Sequence, residues 1–257
     1  MKYFPVPHGT DEWFKCRLGI PTASCFDKIV TPGGKISEAK GGGVYDGTDI
    51  PRFSQTAESY AHLLLAEIIT NSALDNFPKS YWMERGALME QEASQLYEFE
   101  TGYILDRGGF MTDDLFRWGA SPDRRIMDAD GNVIGALEIK CPAPWTHVEN
   151  LLKKQIDREY IPQVQGQMFC GDLQFVDWFS YYPGMPPSLI RTKRDDEFIK
   201  VLEEGLLRFD AMMTVKKQQL VEIGALDAIP EKVMPEYRDG LAELLAGGDF
   251  ETTLSAG

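Results

Sequence analysis

The 257-residue chain predicts an α/β fold with a central mixed β-sheet flanked by α-helices. Three observations point there. Two stretches, 53–71 and 80–100, repeat apolar residues at helical spacing; residues 103–139 shift to short strand-like runs; and two further helical stretches precede another pair of strands and a last long helix. The order α-α-α-β-β-β-α-α-β-β-α puts helices on both faces of one sheet.

The first elements are small. "DEWFKCRLGIPTASCFDKIV" reads as a short helix, a Gly-Ile-Pro break, and a second helix with Thr22 or Ser24 as its cap. Residues 31–51 are rich in Gly and Asp, which predicts an irregular, mobile loop. Between Phe53 and about Asn71, the residues Ala57, Tyr60, Ala61, Leu64, Leu65, Ile68 and Ile69 form one apolar stripe. A second helix, from about Ser80 to Glu100, carries Met89, Ala93, Leu96 and Tyr97 on one face, and Glu90 shares that face.

The strands of 103–139 contain "DADGN" at 128–132, a hairpin turn whose Asp-Gly tolerates positive φ. Residues 144–156 and 161–171 are helical, the latter with Pro162 in its first turn and Gly171 at its end. "FVDWFSYYPG" and "SLIRTKR" are strands, and 195–220 is a long helix with Leu202, Leu206, Phe209 and Met213 in register. Beyond Glu222 the chain is acidic and broken by Pro and Gly. It divides into one domain, 1–222, and a peripheral extension, 223–257.

Composition narrows the function. With 43% hydrophobic and 11% aromatic residues the chain has ample material for a core. No apolar run nears the ~18 residues of a membrane span, and "MKYFPVPHGTDEW" lacks an apolar signal region, so the expectation is a soluble cytoplasmic protein. Cys16, Cys25, Cys141 and Cys170 lie far apart with only three histidines (His8, His62, His147), which argues against zinc, iron–sulfur and disulfide chemistry. Any metal must be held by oxygen. The formal net charge of -14 opposes nonspecific polyanion binding but leaves room for a local basic groove, since Lys and Arg recur around 117–125, 153–158 and 191–194.

The chemistry concentrates in "SPDRRIMDADGNVIGALEIKCP", 121–142. Side chains alternate along a strand, so Ile134, Ala136, Glu138 and Lys140 share one face. The turn at 128–132 folds the preceding strand alongside and brings Asp123 to the same end. Two carboxylates and the Ile139 carbonyl would give hard oxygen ligands for Mg²⁺, and Lys140 would orient or deprotonate an attacking water. A surface ion pair between Glu138 and Lys140 explains the spacing equally well. Glu90 and Gln165 lie on helical faces shared with apolar residues, Gln165 with Met168 and Phe169; each fits a boundary position or a place beside the Asp123 cluster.

Four ordered motifs together resemble the lambda-type phage exonuclease, or YqaJ-like viral recombinase, family of PD-(D/E)xK nucleases. They are Trp13 to Ser24 ("W-x3-RLG-x-PTAS"), "RGALMEQEA" at 85–93, "SPDRRI" followed by "GALEIKCP", and "PQVQGQMFC" at 162–170. The resemblance spans about residues 10–185 and implies a restriction-endonuclease-like core. It also implies a Mg²⁺-dependent 5′-to-3′ exonuclease on double-stranded DNA ends, with Mn²⁺ substituting, working as a ring-shaped homotrimer beside a single-strand annealing protein. Asp123, Glu138, Ile139 and Glu90 would then be at the metals, Lys140 would be the catalytic lysine, and Gln165 the second glutamine of a Q-x-Q helix. Arg17, Ser24 and Ser121 would form a pocket for the 5′-terminal phosphate. From the residues alone, Arg17 could equally pair with Asp11 or Glu12, and Ser24 could cap a helix. The 15-residue step from Asp123 to Glu138 is longer than in the phage relatives, and the acidic extension has no counterpart there.

Overall fold

A computed structural model describes residues 1–45, 47–74, 81–232 and 234, without the side chains of 81–84 and 87. In chain order it contains β1 (Lys2–Phe4), α1 (Asp11–Arg17), a 3₁₀ turn (Ala23–Lys28), β2 (Val30–Thr31), β3 (Lys35–Ile36), α2 (Gln55–Thr70) and α3 (Tyr81–Thr101). Then come β4 (Ile104–Arg107), β5 (Phe110–Thr112), β6 (Gly119–Ala120), β7 (Arg124–Met127), β8 (Val133–Lys140) and α4 (Pro144–Leu152). A 3₁₀ turn (Arg158–Tyr160), α5 (Ile161–Gly171), β9 (Phe175–Ser180), β10 (Ser188–Lys193) and α6 (Asp196–Glu222) complete the order.

The central sheet has five strands in the order β10-β9-β8-β7-β4. Strands β8 and β9 run parallel, which requires a crossover; α4 and α5 supply it, while the other pairs are antiparallel. The mixed sheet follows from that one connection. Alternation along β8 then divides the core. Leu137 and Ile139 pack with Ala93 and Tyr97 of α3, whereas Ala136 joins the larger cluster built from α2, α5 and α6. A smaller sheet, β1-β5-β6, lies beside it.

Local sequence accounts for the helix ends. Ser54 caps α2 through the amide of Ala57, and Asp195 caps α6 through that of Phe198. Asn71 and Asp172 stop α2 and α5 in left-handed conformation. Three expectations are corrected. The helix expected after Pro21 is a 3₁₀ turn without a side-chain cap bond, the helix from 144 ends at Leu152, and the loop of 31–51 contains β2–β3 pairing. Ser80 and most of the extension beyond Glu222 lie outside the described residues. Among the described residues no helix is long and apolar enough to cross a membrane.

Candidate active site

The register of the β7–β8 hairpin builds the site. Arg124 faces Leu137 across the ladder, so Asp123, one residue before β7, stands beside the end of β8. Its Oδ2 accepts the Ile139 N–H at 2.6 Å. At the end of β8, Glu138 and Lys140 share one face of the strand, with Lys140 Nζ 2.8 Å from Glu138 Oε1. Glu138 is only 4% exposed, which excludes a solvated surface pair. A carboxylate buried so deeply must be surrounded by donors. Besides Lys140 it accepts from Gln163 Nε2 at 2.7 Å and Gln167 Nε2 at 2.6 Å, one glutamine to each oxygen.

The electrostatics follow from this crowding. Burial and then the charge of Glu138 push the Asp123 carboxyl well above the usual carboxylate range; Lys140 pulls it back, and Glu90 adds to the rise. For Lys140, burial works against the ammonium, but Glu138 and Asp123 outweigh it and hold the amine above its ordinary value. A third carboxylate, Glu90, is bonded by Arg124 Nη1 at 2.8 Å, and the same nitrogen donates to the Asp123 carbonyl at 2.6 Å.

Gln165 is not part of this group. Its amide donates to the Lys193 carbonyl and accepts from the Asp195 N–H, tying α5 to the start of α6. The glutamines that reach Glu138 are Gln163 and Gln167, four residues apart and so on one helical face. That spacing was the available signal. His8 also went unrecognised: its Nε2 lies 2.6 Å from Ser121 Oγ and its Nδ1 3.9 Å from Asp123 Oδ1.

Among the described residues, no group of three His, Cys, Asp or Glu side chains is arrayed to hold a metal. The reason is that the carboxylates are turned onto N–H partners: Asp123 onto Ile139, Glu138 onto Gln163 and Gln167, Glu90 onto Arg124. The donor set nevertheless fits a hard divalent cation. Buried like charges are held together, and Gln167 Oε1 is buried with no hydrogen-bond partner, an acceptor suited to a water at the site.

Next to the carboxylates lies a frame of aromatic, basic and hydroxyl groups. The Arg17 guanidinium lies 4.4 Å over the Trp13 ring, and its Nη2 is 3.4 Å from Ser24 Oγ. Trp13 Nε1 donates to Ser121 Oγ at 2.7 Å, and Ser121 donates to the Gly109 carbonyl at 2.5 Å. Arg17, Thr22 and Lys28 line a cavity of about 230 Å³, while Ser24 and Gln163 line a neighbouring one of about 200 Å³. One cavity wall thus carries both Ser24, the partner of Arg17, and Gln163, the partner of Glu138. Arg17 turns to the Trp13 ring and Ser24, and among the described residues no ion pair joins it to Asp11 or Glu12.

A five-stranded mixed sheet between helices, with an aspartate and a Glu-x-Lys pair at adjacent strand ends, defines a restriction-endonuclease-like fold. Residues 12–174 match the YqaJ-like viral recombinase domain, and the chain belongs to that family. Among solved structures it is similar to an alkaline exonuclease (LHK-Exo) from Laribacter hongkongensis, at 29% identity and a TM-score of 0.68, over 84% of this chain and 98% of that one. LHK-Exo in complex with dAMP gives the same figures, 29% and 0.68 over 84% and 98%. A phage related exonuclease from Haemophilus somnus 129PT shares the fold at 15% identity and a TM-score of 0.55, over 79% and 96% of the two chains. Comparison with curated proteins finds no match.

Proposed function

We propose that this chain is a Mg²⁺-dependent exonuclease that degrades one strand of linear double-stranded DNA from 5′ to 3′, leaving single-stranded DNA for recombination. The observation that carries the reading is the meeting of Asp123, Glu138 and Lys140 in one buried corner of the sheet. Membership of a viral recombinase family and the likeness to exonuclease structures support it.

Asp123, Glu138 and the Ile139 carbonyl would hold the cation, with Glu90 close by. Bound there, Mg²⁺, or Mn²⁺ in its place, would polarise the scissile phosphate and lower the pKa of the attacking water. Lys140 orients that water and offsets charge developing on the phosphate oxygens, held in place by Glu138. Gln163 and Gln167 fix Glu138 from the opposite side. Arg17 with Ser24 binds the 5′-terminal phosphate, a planar fork and a hydroxyl against a dianion, while Ser121 braces Trp13 beneath it. The working form is a homotrimeric ring in the bacterial cytoplasm, paired with a single-strand annealing protein.

The test is digestion of linear duplex DNA labelled at its 5′ or its 3′ ends, in Mg²⁺ or EDTA, beside a closed circle. Mg²⁺-dependent release of 5′ nucleotides with the circle intact is the expected result. Release from the 3′ ends reverses the polarity, a cut circle indicates an endonuclease, and no release in Mg²⁺ sinks the reading.

A further inference from the structure

We propose that Lys232 is a positioning residue for Arg17, so that the chain beyond the family-matched region sets the preference for a 5′-phosphate. This rests on the phosphate-pocket reading above. The family match ends at residue 174, and nothing in the catalytic corner calls for anything beyond α6.

After α6 the chain reverses through Gly224, at φ 73°, and residues 230–232 and 234 come back against α1. Lys232 Nζ donates to the Lys15 and Leu18 carbonyls, both at 2.7 Å. These are carbonyls at the end of α1 that lack helical partners, and a cation there also opposes the negative end of the helix. Between them stands Arg17, whose own carbonyl accepts from Ile20 N–H at 3.2 Å. Just beyond it, Gly19 N–H is held by Glu67 Oε2 of α2 at 2.9 Å. Lys232 thus ties the backbone on both sides of Arg17, and α2 adds a bond on the C-terminal side.

A second contact reaches the apolar cluster that supports Trp13. Met234 packs on the cluster of Val6, Cys16, Ile20 and Phe110 together with Trp13, whose ring carries the Arg17 guanidinium. Burial pushes the Lys232 amine down to about 8, with the Glu67 carboxylate opposing, so at neutral pH it remains an ammonium able to make both bonds. Without it, the exposed Lys15 carbonyl and the part-buried Leu18 carbonyl lose the cation that ties them together, and the Arg17 fork loses its fixed direction. A bidentate grip on phosphate is sensitive to direction.

The experiment uses the full chain. Blunt duplexes with 5′-phosphate or 5′-hydroxyl ends are compared for binding in Ca²⁺ by fluorescence anisotropy and for digestion in Mg²⁺, with wild type, Lys232→Met, Lys232→Arg, Arg17→Ala and the Arg17→Ala/Lys232→Met double variant. The phosphate-over-hydroxyl ratio should fall roughly fivefold or more in Lys232→Met, recover in Lys232→Arg, and fall no further when Lys232→Met is added to Arg17→Ala. If Lys232→Met does not fold, Lys232→Gln, which is shorter and uncharged and so loses the paired grip on both carbonyls, carries the same comparison. An unchanged ratio overturns the proposal, as does an equal loss on both ends that persists in the Arg17→Ala background. A wild type indifferent to the 5′-phosphate overturns the pocket itself, and Lys232's role with it.

Discussion

Lys140 has one ammonium and two carboxylates to answer, and it sits against Trp178, with Nζ 4.9 Å from the ring centroid. Removing the side chain leaves Glu138 with its two glutamine donors, so the fold should survive while the chemistry does not. Lys140→Ala is expected to lower turnover by roughly 10²–10⁴-fold and to leave duplex-end binding within a few-fold; undiminished turnover removes the lysine from the mechanism. Asp123, Glu138 and Lys140 were legible because a strand has a period of two and a hairpin brings its arms together, which fixes faces without knowledge of the rest. Gln165 was not. On a helix a shift of two residues turns a side chain to nearly the opposite face, and only the docking of α5 decides which face meets Glu138. His8 carried no local signal at all, since it reaches Ser121 across 113 residues of sequence.

Helix α5 shows what an element adds to a residue. It presents Gln163 and Gln167 to Glu138 on one face and, on another, Gln165 to the start of α6, so the same eleven residues hold the carboxylate and anchor the last helix. Gln167→Leu keeps the volume near constant and deletes one donor to a buried carboxylate. The Mg²⁺ concentration for half-maximal digestion should rise about 10- to 100-fold, with the maximal rate much less affected; an unchanged Mg²⁺ requirement shows that Gln167 supports the fold alone. The long helices and the β7–β8 hairpin were readable from periodicity because each spans several repeats. The two-residue strands β2 and β3 were not, because two residues contain no period. Gly108 marks another limit: a Cβ there would lie 1.6 Å from the Pro122 carbonyl, a close approach beside Asp123 that only the folded sheet reveals.

At the scale of the whole molecule the charge poses the problem. A chain of net charge -14 meeting duplex DNA is repelled wherever its acidic surface comes within a Debye length, about 10 Å at 0.1 M salt. On the proposed reading, Arg17, Lys28, Arg124 and Lys140 would give a local grip, enough to seat a terminus but few for holding a polyanion through many cycles. An enzyme of this charge that stays on its substrate must therefore retain it by shape, and a closed ring does so without needing attraction. A trimer of 28.9 kDa chains has a mass of about 87 kDa, which light scattering distinguishes from a monomer. With digestion under way and excess unlabelled duplex added as a trap, a ring should continue over hundreds of nucleotides, and its run length should change little between about 50 and 200 mM salt while its rate of first association falls steeply. A mass of one chain, with digestion halting when the trap is added, leaves an enzyme that binds anew for each nucleotide and must overcome its own charge every time.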